Sequence, residues 1–195
     1  WESQTSENLK LEDLNEDRIR GAVVYGVEKG RMPASAVAES TWALLDKFGM
    51  IENNKIKNAA IALFIKNSTA YPQFLLRMAR FRGTEKMEFI DNMRVKGNFF
   101  ELLDAGMSFF FKHLSQSGVI KGLRREEQLE IPVEALREAL TNSLCQRLLD
   151  SPSGSVGISI FDDRVEIENT GHLPNELTIE TIKQPHRSYP QNPII

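Results

Sequence analysis

The sequence is short of the residues that staple small folds or build metal centres. Cys145 is its sole cysteine, so no internal disulfide can close. The three histidines follow no Cys/His spacing, which argues against a structural zinc site. No apolar run approaches the ~20 residues that cross a bilayer, and the N-terminus lacks a signal-peptide pattern. A cytoplasmic chain with no membrane partner is expected. Basic residues are not in excess. The net charge is −3, the wrong sign for a strongly basic nucleic-acid-binding domain. The phosphate loop G-x-x-x-x-G-K-[ST] is missing, which leaves a P-loop motor without support.

Against these absences stands an ordinary globular profile. With 41% hydrophobic and 26% charged residues, the 195-residue chain is long enough to bury a core. It starts at Trp1 and stops at Ile195, which reads as a segment of a longer protein. Residues 1–15 are polar and predict an extended linker. Asn15 is placed to cap a helix over Glu16–Gly30, and the spacing of Val37, Ala38, Trp42, Leu45 and Phe48 predicts a second over Ser35–Phe48. Residues 52–55 read as a turn, while the run Ala59–Ile65 suits a buried strand or a short helix equally. Strands over 77–81 and 88–95 are expected to pair across a turn at 83–86. The apolar face of Phe99, Leu102, Leu103, Met107, Phe110 and Leu114 predicts the strongest helix, Asn98–Gln116, with Gly118 as its stop. A strand over 126–131 follows, then a helix from Pro132 to Leu149, since proline suits the first helical turn. Alternating Val156, Ile158 and Ile160, a turn at Asp162-Asp163 and a return through Val165 and Ile167 to Asn169 predict a hairpin. A loop at 170–174, a short helix over 176–183 and an irregular tail from Gln184 complete the chain.

The helix opening at Pro132 carries the chemistry. Leu136, Leu140 and Leu144 form its buried stripe, and Glu138 and Asn142 sit one turn apart, away from it. A carboxylate and an amide so placed can face a pocket together. Oxygen ligands suit Mg²⁺, which keeps several waters, and a nearby glutamate can polarise one of them for attack on a phosphate.

The surrounding strings carry a family resemblance. Ile131–Leu144 resembles the P-x-x-A-L-R-E-A-[LI]-x-N-A segment of Schlafen/AlbA-type transcriptional regulators. Ile160–Pro174 is similar to their I-F-D-D-R-[LV]-E-I-x-N-P-G-G-L-P, and Tyr189–Pro193 resembles their x-x-R-N-P. Residues 58–64 and 80–83 fit the segment between the AlbA-like and ATPase-like domains of that family. The resemblance implies a GHKL-type (Bergerat-like) ATP-binding domain, of the kind labelled as related to the RecG helicase C-terminus. By the same resemblance Glu138 is the catalytic general base, Asn142 reaches Mg²⁺, and Asn169 and Gly171 occupy the D-x-G box that reads the adenine of ATP. Three segments depart from the pattern. Asn169 replaces the aspartate, Cys145-Gln146-Arg147-Leu148-Leu149 keeps only the arginine of H-R-D-Y, and His172 replaces the second glycine of N-P-G-G. An amide can still donate and accept hydrogen bonds but supplies no charge. These departures imply a pocket degenerate for hydrolysis.

The expected fold class is α+β: a linker over 1–15, a mixed helical and strand region over 16–118, and a GHKL-like helix and β-hairpin over 119–195, able to pack as one unit. Three functions are compatible with this reading: a regulator fragment with a degenerate ATP-binding module, an active Mg-ATPase, and a structural or dimerisation module. DNA contact is expected through domains outside the chain, and a homodimer is a possible partner state. Plainer readings stand beside these. Glu138 suits a solvated helix position, Asn169 and Gly171 suit strand-end turn chemistry, and Cys145 suits a spectator thiol. Arg77, Arg80 and Arg82 suit a solvated sheet face better than contacts to DNA phosphates.

Overall fold

Asn15 caps the first helix as its position predicts. Its Oδ1 accepts from the Arg18 amide at 3.2 Å and opens α1 (Glu16–Glu28). The structure, a computed structural model, describes residues 1–121, 124–173, 177–185, 187 and 189–195, and the backbone alone for 116–121, 124–128 and 182. The single helix expected over Ser35–Phe48 is instead a 3₁₀ turn at Ala34–Ala38 followed by α2 (Thr41–Lys47). Ser40 causes the split: its Oγ accepts from the Ala43 amide at 3.2 Å, and this N-cap holds Glu39 and Ser40 extended. Strands β1 (Ile51–Glu52) and β2 (Lys55–Ile56) close on Asn53 and Asn54, both left-handed at φ 49° and 59°, the pair that a tight hairpin turn requires. The ambiguous run after them is a helix, α3 (Asn58–Phe64). It is buried on two sides: Ala59, Ala60 and Phe64 join the core of α1 and α2, while Ile61 and Ala62 join the core under the sheet.

The main sheet has four strands in the order β4 (Phe89–Lys96), β3 (Leu75–Phe81), β7 (Val156–Ile160), β8 (Val165–Glu168). β3 and β7 run parallel, and the outer pairs are antiparallel. One face carries Leu76, Met78, Val156 and Ile158, all buried under α4 (Phe99–His113) and α5 (Val133–Cys145). Burying each such side chain stabilises the fold by about 1.5–3 kcal/mol. Gly106 of α4 sits where the two helices and the sheet meet, and a Cβ there would overlap Leu140 and press on Ile158. Among the described residues the other face is open, with Arg77, Asn92 and Arg94 exposed on it.

Two expected boundaries move. α4 opens on a capping box, with Asn98 accepting from the Glu101 amide at 3.1 Å and Glu101 accepting from the Asn98 amide at 3.0 Å. It ends at His113, not Gln116, because extended backbone at Leu114 turns that side chain into the core. Gly118 is therefore no helix stop. It lies in β5 (Gln116–Lys121), which pairs antiparallel with β6 (Arg124–Leu129). Of the helix expected over 176–183, a 3₁₀ turn at Thr181–Lys183 is present, and Glu176 lies outside the described residues.

Residues 1–15, expected as a linker, hold a single 3₁₀ turn (Leu11–Asp13) but are tied down along their length. Trp1 packs edge-on against Phe74 at 5.9 Å, Ala59 N–H donates to the Glu2 carbonyl at 3.0 Å, and Leu14 is buried beside Ile65. The sheet takes β3 and β4 from the 16–118 stretch and β7 and β8 from 119–195, and one apolar core runs through both. The fold class is α+β, as expected. Among the described residues no helix is long and apolar enough to cross a membrane.

Candidate functional site

Leu136, Leu140 and Leu144 are buried as their spacing predicts, and they press α5 onto the sheet beside α4 and β8. That leaves Glu138 and Asn142 on the exposed side of the helix. The two are brought together: Asn142 Nδ2 donates to Glu138 Oε1 at 3.0 Å. One turn further on, Gln146 Nε2 donates to Asn142 Oδ1 at 3.3 Å. Glu138, Asn142 and Gln146 thus form one polar strip along α5. Among the described residues, Arg137 and Arg147, the cations nearest Glu138 in sequence, form no ion pair with it.

The helix stops at Cys145 rather than Leu149 because side chains from far along the chain take its last carbonyls. Asn169, just past β8, donates its Nδ2 to Ser143 O at 3.3 Å and to Gln146 O at 3.1 Å. Its Oδ1 accepts from the Gly171 amide at 3.3 Å, the turn chemistry of an asparagine at a strand end. Gly171 is needed for close approach: a Cβ there would stand 2.8 Å from the Gln146 carbonyl oxygen. Asn192 completes the cap, donating to Cys145 O at 2.7 Å and Arg147 O at 2.9 Å. Asn169 and Gly171 therefore lie against the end of the helix that bears Glu138 and Asn142. In the sequence, the closing Asn-Pro pair is the signal for Asn192.

Arg147 stands out in the sequence only as the surviving residue of a four-residue pattern. In the fold it is fully buried, its guanidinium lies 5.3 Å from the centre of the Phe99 ring, and its nitrogens have no hydrogen-bond partner among the described residues. Burial pulls its pKa down to about 10. The Cys145 thiol is pushed up to about 11, again chiefly by burial, which makes it a poor nucleophile. Asp162, in the β7–β8 hairpin turn, accepts from the Gly83 amide at 2.8 Å and from Arg80 at 2.5 Å. Those bonds hold its carboxyl below the usual range, Arg80 contributing most. They pin the β7–β8 turn to the β3–β4 turn. His172 is exposed.

The donor set can be weighed against Mg-ATP. Glu138 and Asn142 offer two exposed oxygens one turn apart, a fit for an ion that keeps most of its waters. The Gln146 bond to Asn142 Oδ1 is long enough to be exchanged. Asn169 spends both amide hydrogens on helix carbonyls, while its Oδ1 accepts one bond from Gly171 and keeps a second lone pair.

Residues 154–195 match the family described as "Putative ATP-dependent DNA helicase recG C-terminal". The match starts after α5, so it includes Asn169 and Gly171 but not Glu138 and Asn142. No curated protein matches the chain. A crystal structure of the DIP2311 protein from Corynebacterium diphtheriae aligns with 100% of this chain at a TM-score of 0.75 and 16% identity. The likeness shows a shared fold, and the chain spans 38% of that protein's length. By its C-terminal segment, then, the chain is similar to the RecG C-terminal-like, ATPase-related domains.

Proposed function

We propose that this chain contributes a degenerate GHKL-like ATP-binding module to a transcriptional regulator, with DNA contacted through parts of the protein outside it. The observation that supports this best is the match of residues 154–195 to an ATPase-related family, on a hairpin that abuts the helix bearing Glu138 and Asn142. In this reading Asn142 and Glu138 hold Mg²⁺ through oxygen and water, and the ion would neutralise the phosphates of the nucleotide. Degeneracy rests on Asn169, whose amide hydrogens cap α5 and which lacks the charge of the aspartate it replaces. With no phosphate loop in the sequence, helicase motor activity is not part of the proposal.

Calorimetric titration with Mg-ATP and Mg-ADP, followed by a phosphate-release assay, tests it. Weak binding of both nucleotides is expected, with no turnover above background and no change in that background for Glu138→Ala. Turnover abolished by Glu138→Ala would replace the proposal with an active Mg-ATPase. Absence of heat and of thermal shift at millimolar nucleotide would leave the module without a ligand and favour a structural or dimerisation role.

A further inference from the structure

We propose that the open face of the sheet, opposite α4 and α5, binds the phosphate backbone of an extended single-stranded nucleic acid. The register sets out that face in rows. Arg94, Arg77, Gly157 and Glu168 form one row across the four strands, and Asn92, Ala79, Ser159 and Glu166 form the next. Glycine, alanine and serine in the middle leave a trough of about 390 Å³ between taller walls. Its acidic wall is partly neutralised: Lys86 sits 2.9 Å from Glu168 and 3.3 Å from Glu166, and Arg164 sits 2.7 Å from Glu166.

The basic wall is not. Arg77 and Arg94 are direct cross-strand partners, both exposed, and neither has an ion pair or hydrogen bond among the described residues. Like charges directly opposite on a sheet repel. Lys96, two residues beyond Arg94 on the same face, adds a third exposed cation roughly 7 Å along the strand. Other cations near this sheet are engaged: Arg80 with Asp162, Arg82 with Glu88, Arg164 with Asp163 and Glu166. Among the described residues, three charges without an ion pair thus stand on one face of a chain whose net charge is −3.

An aromatic platform selects nucleic acid over an acidic peptide. The Phe161, Phe81 and Phe89 rings stand in file, 5.2 Å and 4.8 Å between centres, with Arg164 over the far end. Phe89 ends the file at the trough and is 59% exposed, a firmly backed face on which an unpaired base can stack. The face lies across the sheet from Glu138 and Asn142, so this inference does not rest on the nucleotide module.

Fluorescence anisotropy of a labelled 12-mer of deoxythymidine, titrated with the chain, tests it. Three phosphate contacts predict that affinity falls roughly 20-fold between 50 and 200 mM salt. The double variant Arg77→Ala/Arg94→Ala should bind at least tenfold more weakly at 50 mM salt and show a salt effect of only about threefold. Gly157→Val should also weaken binding tenfold by filling the floor without changing charge; its added Cβ meets nothing closer than 3.9 Å. Circular dichroism establishes that each variant is folded, and the arginine variant decides the matter if the valine variant is not. No binding at 50 mM salt, or an unchanged salt slope in the arginine variant, overturns the inference. So does equal displacement by a poly-glutamate peptide, which would assign the trough to an acidic protein, or tighter binding of a duplex of the same length.

Discussion

The two faces of the sheet treat their polar groups in opposite ways. On the helix-covered face, Glu138, Asn142, Gln146 and Asn169 are linked to one another or to the end of α5, so each group's partner is a neighbour in the same strip. On the open face, Arg77 and Arg94 confront each other across two strands with no counter-charge of their own among the described residues. A site whose groups satisfy each other is held rigid and gives up bonds to admit a ligand. A site whose like charges meet gains by admitting one. The contrast explains why the α5 strip reads as a degenerate pocket and the open face as a receptive one.

The comparison is broken most severely from below. Leu140 is fully buried between α4, α5 and the sheet, so Leu140→Ala should cost about 2–5 kcal/mol and be read as a lower midpoint in urea unfolding. A loss under about 1 kcal/mol would mean that α5 is not anchored to the sheet, and the strip it carries would lose its footing. Next comes alkaline pH. The Cys145 thiol has a folded pKa of about 11 against an ordinary 9.0. Between these values the unfolded chain has lost a proton that the folded chain keeps, so stability present below pH 9 drains away as pH rises to 11. The full shift corresponds to about 3 kcal/mol. Arg147 acts with the opposite sign: burial holds its folded pKa at about 10, below the ordinary guanidinium value, so stability rises with pH above 10. The difference in melting between wild type and Cys145→Ala should therefore narrow steadily from pH 9 to 11. A pH-independent difference would show that the thiol is not desolvated.

Asn169→Asp separates capping from ligand reading. As a cap, aspartate loses two donated bonds and sets a negative charge against the carbonyl end of α5, at a cost of about 2 kcal/mol. As a restored adenine reader, it would instead tighten ATP binding. Thermal melting and calorimetry on the same variant distinguish the two, and a variant with unchanged melting and tighter ATP binding would sink the capping account.

These tests fall where the sequence is least legible. The periodicities of α5 and the hairpin are local, and Leu136, Leu140, Val156 and Ile158 can be read directly from spacing. The end of α5 cannot, because Asn169 and Asn192 reach it from 23 to 47 residues away. Without those partners nothing in Cys145–Leu149 stops a helix. Ser40 is the opposite case: its cap is local and legible, but the apolar spacing on either side of it suggests one continuous helix. Gly118 misleads because glycine marks a helix end and a strand equally well, and only its pairing with Glu127 in β6 decides. Arg77 is visible as a basic strand residue, but its role depends on facing Arg94, which is a matter of register.

The smallest expected effect bears on the open face. If Arg77 and Arg94 repel, Arg94→Gln keeps most of the length of the side chain, removes one charge and should raise stability by about 0.3 kcal/mol at low salt. The gain should vanish near 1 M salt, where screening acts within about 3 Å. Paired denaturant curves at the two salt concentrations resolve such a difference when fitted with a common slope. A salt-independent gain would reflect strand propensity rather than charge. A loss of stability would mean that Arg94 has a partner in the folded protein. Either result would remove the uncompensated pair of cations from which the receptive character of this face is argued, leaving the two faces alike in having their charges internally matched.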